Sequence, residues 1–249
     1  MAAPRRVLVI RHSEIDQPGF FGEVMEQAGI AWQPCDPWQG EPFPALEDYD
    51  AVLAMGGPQQ ADEEHLYPWL GTEKALLRDA VAGGMPVLGV CLGCQLLADA
   101  HGGIVAPLAE AEVGIIDFAL TEAGRADPLF AGLPPAPLTM QWHLNAVTAM
   151  PRQAVLLATS EACAVQAYRL APRAYGVQFH MEVDAKLVQA TELFPEYIAA
   201  LEELQGEGAF ARMVADAVRE EETLRANGSR LFRNFVGLME VGGTQCAAE

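Results

Sequence analysis

From Pro86 the chain reads Pro-Val-Leu-Gly-Val-Cys-Leu-Gly, and no other stretch restricts the fold as much. Pro86–Cys91 predicts a buried strand, and Leu92–His101 predicts a helix stopped by Gly102-Gly103. A strand that passes straight into a helix needs a strained turn, here with Cys91 at its apex. Bulky side chains two positions away on either side would collide across that turn, and Gly89 and Gly93 stand there. Gly89-Val90-Cys91-Leu92-Gly93 therefore matches the nucleophile elbow Gly-x-Ser-x-Gly, with cysteine for serine. The turn exposes the thiol and sets the next N–H groups at a helix N-terminus. The positive end of that helix favours a thiolate and a developing oxyanion.

Around the elbow, short apolar runs at Val7–Ile10 and Asp50–Met55 predict strands, and Trp32–Pro44 predicts a strand with a loop. Gly22–Gly29 and Thr72–Ala82 predict helices, the second stopped by Gly83-Gly84. Strands alternating with helices through residue 105 predict a doubly wound α/β fold, with a mostly parallel central sheet and helices on both faces. The middle is richer in β. Strands are expected at 115–120, 138–141, 154–159, 162–169 and 174–179, with a loop at 132–137. From Asp184 helices are expected over 185–204, 207–226 and 229–239. One domain over 1–240, ending in a C-terminal helical segment from about 185, is the simplest division, and the tail 241–249 is expected to fray.

Composition narrows the chemistry. The chain has 249 residues, 51% of them hydrophobic, so its core needs no disulfide or metal staple. Thirty-four acidic residues against 15 Lys and Arg give a net charge of −19. The tight basic cluster is Arg5-Arg6 with Arg11 nearby, which cannot form a phosphate-tracking stripe. Nucleic acid and membrane are therefore not expected partners. No secretory signal is read, and no apolar run reaches the roughly 18 residues of a membrane helix. The five spaced cysteines (Cys35, Cys91, Cys94, Cys163, Cys246) are expected as free thiols in a reducing cytoplasm. Cys91-x-x-Cys94 has no second cysteine pair and no neighbouring histidine pair, so no metal is expected. No Gly-x-x-x-x-Gly-Lys-Ser/Thr occurs, and neither ATP nor another cofactor is expected.

A cysteine nucleophile needs a base. His180 ends the predicted strand Tyr175–Phe179, and Glu182 follows two residues later. In extended chain such residues share a side, so Glu182 can reach the imidazole from behind, orient it and stabilise its charged form. Cys91, His180 and Glu182 make a complete nucleophile, base and orienting group.

Three separated motifs carry a resemblance: Met55-Gly56-Gly57-Pro58, Pro86 to Leu97 through the elbow, and Tyr175 to Glu182. The chain resembles the class I, triad-type glutamine amidotransferases over most of its length. It is most similar to stand-alone proteins related to the amidotransferase domain of GMP synthase, a subgroup supported by Tyr67-Pro68-Trp69-Leu70 and Met140-Gln141-Trp142-His143. The resemblance implies a flavodoxin-like sheet. It implies attack by Cys91 on the side-chain amide of glutamine, with His180 and Glu182 behind it, a γ-glutamyl thioester and release of ammonia. It also implies an oxyanion hole from the N–H groups of Gly57 and Leu92, substrate contact by Gln95, and binding of the substrate's α-groups by the backbone of Gln141, Trp142 and His143. Met181 stands where the family usually has proline, which loosens the backbone but keeps the spacing of His180 and Glu182. Leu144-Asn145 replaces the usual Gly-Asp, which bears on the identity of the γ-glutamyl substrate.

Glutamine or another γ-glutamyl amide is thus the expected substrate, with ammonia passed to a separate synthetase or ligase subunit. The alternatives are a stand-alone hydrolase of γ-glutamyl amides or peptides, and a non-catalytic regulatory protein of the same fold. Among the other polar residues, Cys94 is expected to face the core. His12 is expected to be a solvated loop residue, and His65 and His101 to lie at the surface or at helix ends. His143 either hydrogen-bonds behind the pocket or lines it. Trp38, Trp69 and Phe179 are expected in the core or the pocket wall.

Overall fold

The first apolar run forms β1 (Arg6–Ile10), whose alternation sends Val7 and Val9 to one core and Leu8 and Ile10 to another. A computed structural model describes residues 5–240. Cys246 and the tail expected to fray lie outside the described residues. After β1 come α1 (Gly19–Gln27), β2 (Ala31–Cys35), β3 (Ala51–Ala54), α2 (Trp69–Ala82), β4 (Val87–Val90) and α3 (Leu92–Ala100). The middle holds β5 (Ile104–Asp117), β6 (Ala119–Leu120), α4 (Glu122–Ala126), β7 (Leu138–Ala149), β8 (Val155–Thr159), β9 (Ala167–Ala171) and β10 (Ala174–Val177). Four helices follow: α5 (Ala185–Ala190), α6 (Pro195–Gln205), α7 (Ala209–Arg219) and α8 (Glu221–Glu240).

The central sheet runs β2-β1-β3-β4-β10-β9-β8-β6. Its first five strands are parallel, and β9, β8 and β6 continue it in antiparallel fashion. The expected mostly parallel sheet is therefore present, with β10 inserted beside β4 from far along the chain. β3, β4 and β10 are buried throughout. Each large side chain hidden there contributes about 1.5–3 kcal/mol relative to exposure. One face packs on α1 and α8, where Phe21 stacks on Phe232 at 4.6 Å. The other face packs on α2 and α3. Among the described residues no helix is long and apolar enough to cross a membrane.

Several expected boundaries move. The strand expected at 138–141 and the first part of that at 115–120 belong to a long antiparallel ribbon, β5 with β7, whose β5 half is of mixed burial and so lacks a strong apolar pattern, while Ala119–Leu120 forms β6 of the central sheet. The strand expected at 162–169 begins at Ala167. The helix expected over 185–204 is broken at Phe194, because Pro195 disfavours helical backbone at the residue before it. α7 ends at Arg219, short of the expected 226, and α8 then runs unbroken across 226–229, where a break between two helices was expected. Gly228 is there for close approach: a Cβ on it would stand 2.0 Å from the Met181 carbonyl oxygen. Trp38 is 37% exposed rather than part of a core.

Candidate active site

The turn between β4 and α3 is as strained as the sequence requires. Cys91 has φ +49° and ψ −106°, and among the described residues no other non-glycine residue has positive φ. Its N–H donates to the Val177 carbonyl of β10 at 2.8 Å, and the Gly93 N–H donates to Met55 at 3.0 Å. A Cβ on Gly89 would stand 2.5 Å from the Gly93 oxygen, and one on Gly93 would stand 2.2 Å from the Ala54 oxygen. Both flanking glycines are therefore demanded by backbone contact.

Cys91 lines a cleft at the carboxyl ends of the parallel strands, with Gly57, Pro58, Met140, Trp142, His180 and Glu182. His180 follows β10 and is held in a two-way bridge with Met140 of β7, its N–H donating to the Met140 carbonyl at 2.8 Å. Its Nδ1 lies 2.6 Å from Glu182 Oε1, and its ring shares the cleft with Cys91, close enough for the sulfur to act on its charge. Burial opposes charge on this ring. The Glu182 carboxylate and the sulfur of Cys91 outweigh burial and hold the His180 pKa well above the ordinary value.

The backbone around Glu182 is clamped. The Glu182 carbonyl accepts from the Phe20 N–H at 2.8 Å, and a Cβ on Gly19 would stand 1.9 Å from that oxygen. Met181 lies against Gly228 of α8. Met181 in place of proline therefore leaves His180 and Glu182 in contact.

The other expected site residues divide. Gly57 and Trp142 line the cleft, and Leu92 supplies the first N–H of α3, which has no acceptor within the helix. The side chains of Gln95, Gln141 and His143 face inward, away from the cleft wall. Gln95 donates to the Asn145 carbonyl at 2.9 Å and to Gln178 at 3.1 Å, and Gln178 in turn reaches Cys91 Sγ at 3.5 Å. His143 Nε2 contacts Gln141 Oε1 and the Glu112 carboxylate, each at 3.1 Å, so it hydrogen-bonds behind the pocket.

Glu112, His143 and Cys163 offer donor atoms within 4.8 Å of one another, away from the cleft. That carboxylate already accepts from Ser160 and Gln166, both at 2.5 Å, and burial pushes the Cys163 thiol up to about 12. Cys94 faces the core, as expected.

His12 corrects the sequence reading, for it is almost fully buried rather than solvated. Its Nδ1 donates to the Gly56 carbonyl at 2.7 Å, its Nε2 meets Glu73 at 2.9 Å, and its ring stacks on Trp69. Both nitrogens face acceptors, which only the imidazolium satisfies. Burial disfavours that charge, but Glu73, Asp16 and the Gly56 carbonyl raise the pKa to about 9. The pair braces the Gly56-Gly57 loop from beneath, and a Cβ on Gly57 would stand 2.4 Å from that of His12.

Two further cleft residues, Asp16 and Tyr197, escape the sequence reading. The signal for Asp16 was its position just after the first strand, at the sheet's carboxyl edge. Tyr197, on α6, had no local signal. It packs edge-on against Trp142 at 6.0 Å.

The sequence profile of the family "Glutamine amidotransferase class-I" matches residues 31–200. The glutamine amidotransferase-like protein YfeJ of Salmonella typhimurium is 34% identical over 218 residues, 85% of this chain and 88% of that protein. The A subunit of the glutamine-hydrolysing GMP synthase of Halobacterium salinarum is 35% identical over 162 residues, 64% of this chain and 80% of that one. The crystal structure of a glutamine amidotransferase from Thermotoga maritima superposes with a TM-score of 0.84 at 28% identity, covering 96% of this chain and 100% of the other.

Proposed function

The chain belongs to the glutamine amidotransferase class-I family, and from that premise we propose that it cleaves the amide of glutamine, or of a substituted γ-glutamyl amide, through a thioester on Cys91. The observation that carries this reading is the His180 ring, held by Glu182, in the same cleft as Cys91, which stands at the apex of a strained elbow. In the first half-reaction Cys91 sulfur bonds to the amide carbon. The oxyanion is received by the N–H groups of Gly57 and Leu92, and the His180 proton passes to the leaving nitrogen as the C–N bond breaks. In the second, His180 takes a proton from water, the resulting hydroxide displaces sulfur, and glutamate leaves. One water is consumed per amide. Glu182 holds the ring and balances its charge throughout.

The acyl half of the substrate lies along β7, against Met140 and Trp142 and the adjoining backbone of Gln141 and His143. Gln95 acts on the nucleophile through Gln178. Likeness to the A subunits of GMP synthases supports a separate synthetase as the receiver of ammonia. A second reading, direct hydrolysis of substituted amides, draws support from the cleft's extension past the reacting centre to Asp16 and Tyr197. An intact set of reacting side chains speaks against a purely regulatory protein. The test is amine release from glutamine and γ-glutamyl amides by wild type and Cys91→Ala, with mass detection of the thioester. Wild-type turnover without thioester, or turnover in the alanine variant, overturns the proposal.

A further inference from the structure

Asp16 lies half-buried in the loop between β1 and α1 and lines the cleft together with Cys91. Its Oδ2 accepts from Ser13 at 2.5 Å, and its Oδ1 turns toward Gly56. The bare α-carbon of Gly56 marks where three groups converge. A Cβ there would stand 2.8 Å from His180 Cε1, 3.6 Å from Cys91 Cβ and 3.6 Å from Asp16 Oδ1. The carboxyl is thus a short alkyl chain away from the reacting atoms.

Charge balance shows what it can hold. Two imidazoles face this region, and each already has its own acid: His12 has Glu73 and His180 has Glu182. Asp16 is the surplus acid. Burial pushes its pKa up to about 6, against the pull of Ser13, His12 and His180 and with the push of Glu182, so near neutrality it is an anion short of a counter-charge. Tyr197 adds none, because burial with the nearby acids raises its phenol to about 12 and keeps it neutral. Ile15, Val183 and Leu187 supply apolar wall beside it.

Direction follows from the reaction. The leaving nitrogen must meet the His180 ring to be protonated, and the Cε1 edge of that ring and Asp16 Oδ1 both lie against Gly56. A substituent on the leaving nitrogen continues that way. We propose that Asp16 forms a leaving-amine subsite whose carboxylate holds a second, positively charged amino group, so that the preferred substrates are γ-glutamyl amides of short diamines. This deepens, and rests on, the reading of the site as one that cleaves γ-glutamyl amides. The step is unchanged: the C–N bond breaks, the His180 proton goes to the departing nitrogen, and the free diamine leaves.

The test compares kcat/KM for γ-glutamyl-4-aminobutylamide with that for the neutral γ-glutamyl-pentylamide and the anionic γ-glutamyl-4-aminobutyrate, in wild type and Asp16→Asn. The readout is the ratio between substrates within each protein, so a general loss of activity in the variant cancels. The expected cationic-to-neutral ratio is at least about tenfold in wild type, as for one desolvated ion pair, and falls toward one in Asp16→Asn. A wild-type ratio of one or less, or the same ratio in both proteins, overturns the subsite. An unchanged ratio with all substrates slowed alike would mean that Asp16 serves the acyl half or only the fold. Asp16→Ser is a second carboxylate-free variant should the first fail to fold. Hydrolysis of glutamine or the pentylamide without charge preference overturns the subsite alone, whereas turnover of no amide overturns the amide-cleavage reading and the subsite with it.

Discussion

Nδ1 of His180 lies 2.6 Å from Oε1 of Glu182, although the residue between them is methionine rather than proline. Proline would fix that backbone from within. Here the β7 bridge at His180, the Phe20 N–H on Glu182 and the seat of α8 against Met181 fix it from outside. The contact is maintained by tertiary packing.

If Glu182 orients and charges the ring, Glu182→Gln should leave KM near wild type and lower kcat by about tenfold to 10⁴-fold. Its carboxylate also raises the His180 pKa, so the base titration in kcat/KM should shift to lower pH in the variant. His180→Ala should be slower still. Equal kcat for Glu182→Gln and wild type would reduce the site to a Cys–His pair.

Cys91→Ala should lose amide hydrolysis and remain folded. Cys91→Gly should be equally inactive yet about 1 kcal/mol more stable than the alanine variant, because glycine accepts φ +49° without strain. Urea midpoints of the two variants check this.

A glutamine-like diazo-ketone should label Cys91 at least about tenfold faster than the other described thiols. Burial pushes Cys35 and Cys163 up to about 12 and Cys94 well above its ordinary value, whereas Cys91 has an imidazole beside it and opens on the cleft. Peptide mapping that finds Cys94 or Cys163 modified first would contradict the assignment.

Two glycines of α8 should respond oppositely to alanine. Gly228→Ala drives a Cβ into the Met181 carbonyl, and it should cost about 2–3 kcal/mol and lower kcat through Glu182. A methyl group on Gly237 would meet nothing within 4 Å, and Gly237→Ala should gain up to about 1 kcal/mol. Thermal melts with kinetics on both variants decide it.

Stability should fall with alkalinity through His12. Its folded pKa of about 9 lies above the unfolded value of 6.5, so its contribution is complete below about pH 6.5 and is lost as pH rises through 9. The groups that face it are Glu73, Asp16 and the Gly56 carbonyl. The stability difference between wild type and His12→Gln should therefore shrink across that window in urea titrations. A constant difference would mean that the ring is neutral in the fold.

The elbow, the parallel strands and the pairing of His180 with Glu182 were legible because each is written in neighbouring residues, whereas the meeting of Cys91 with His180 followed from the chemistry, a cysteine nucleophile needing a base. Gly89 and Gly93 bracket the turn, and buried strands are apolar runs. The β5–β7 ribbon is longer than the expected strands because its pairing runs on through residues of mixed burial, which show no sustained apolar pattern. His12 looked like a loop residue because its partner, Glu73, lies far along the chain on α2. Asp16 and Tyr197 enter the cleft from a loop and from a helix that looked like an appendage, and no local periodicity records that meeting. The break expected between 226 and 229 is absent, because Gly228 serves close packing against Met181 inside a continuous helix.

Because β10 lies beside β4, a ribosome releases the thiol of Cys91 long before the base that would activate it. The nascent chain carries a cysteine without its base until the later half has threaded its strand into the middle of the sheet, a long-range closure whose loop entropy must be met before the contact forms. Unfinished or misfolded chains are thereby spared a reactive sulfur, and reactivity toward electrophiles becomes a measure of completed folding.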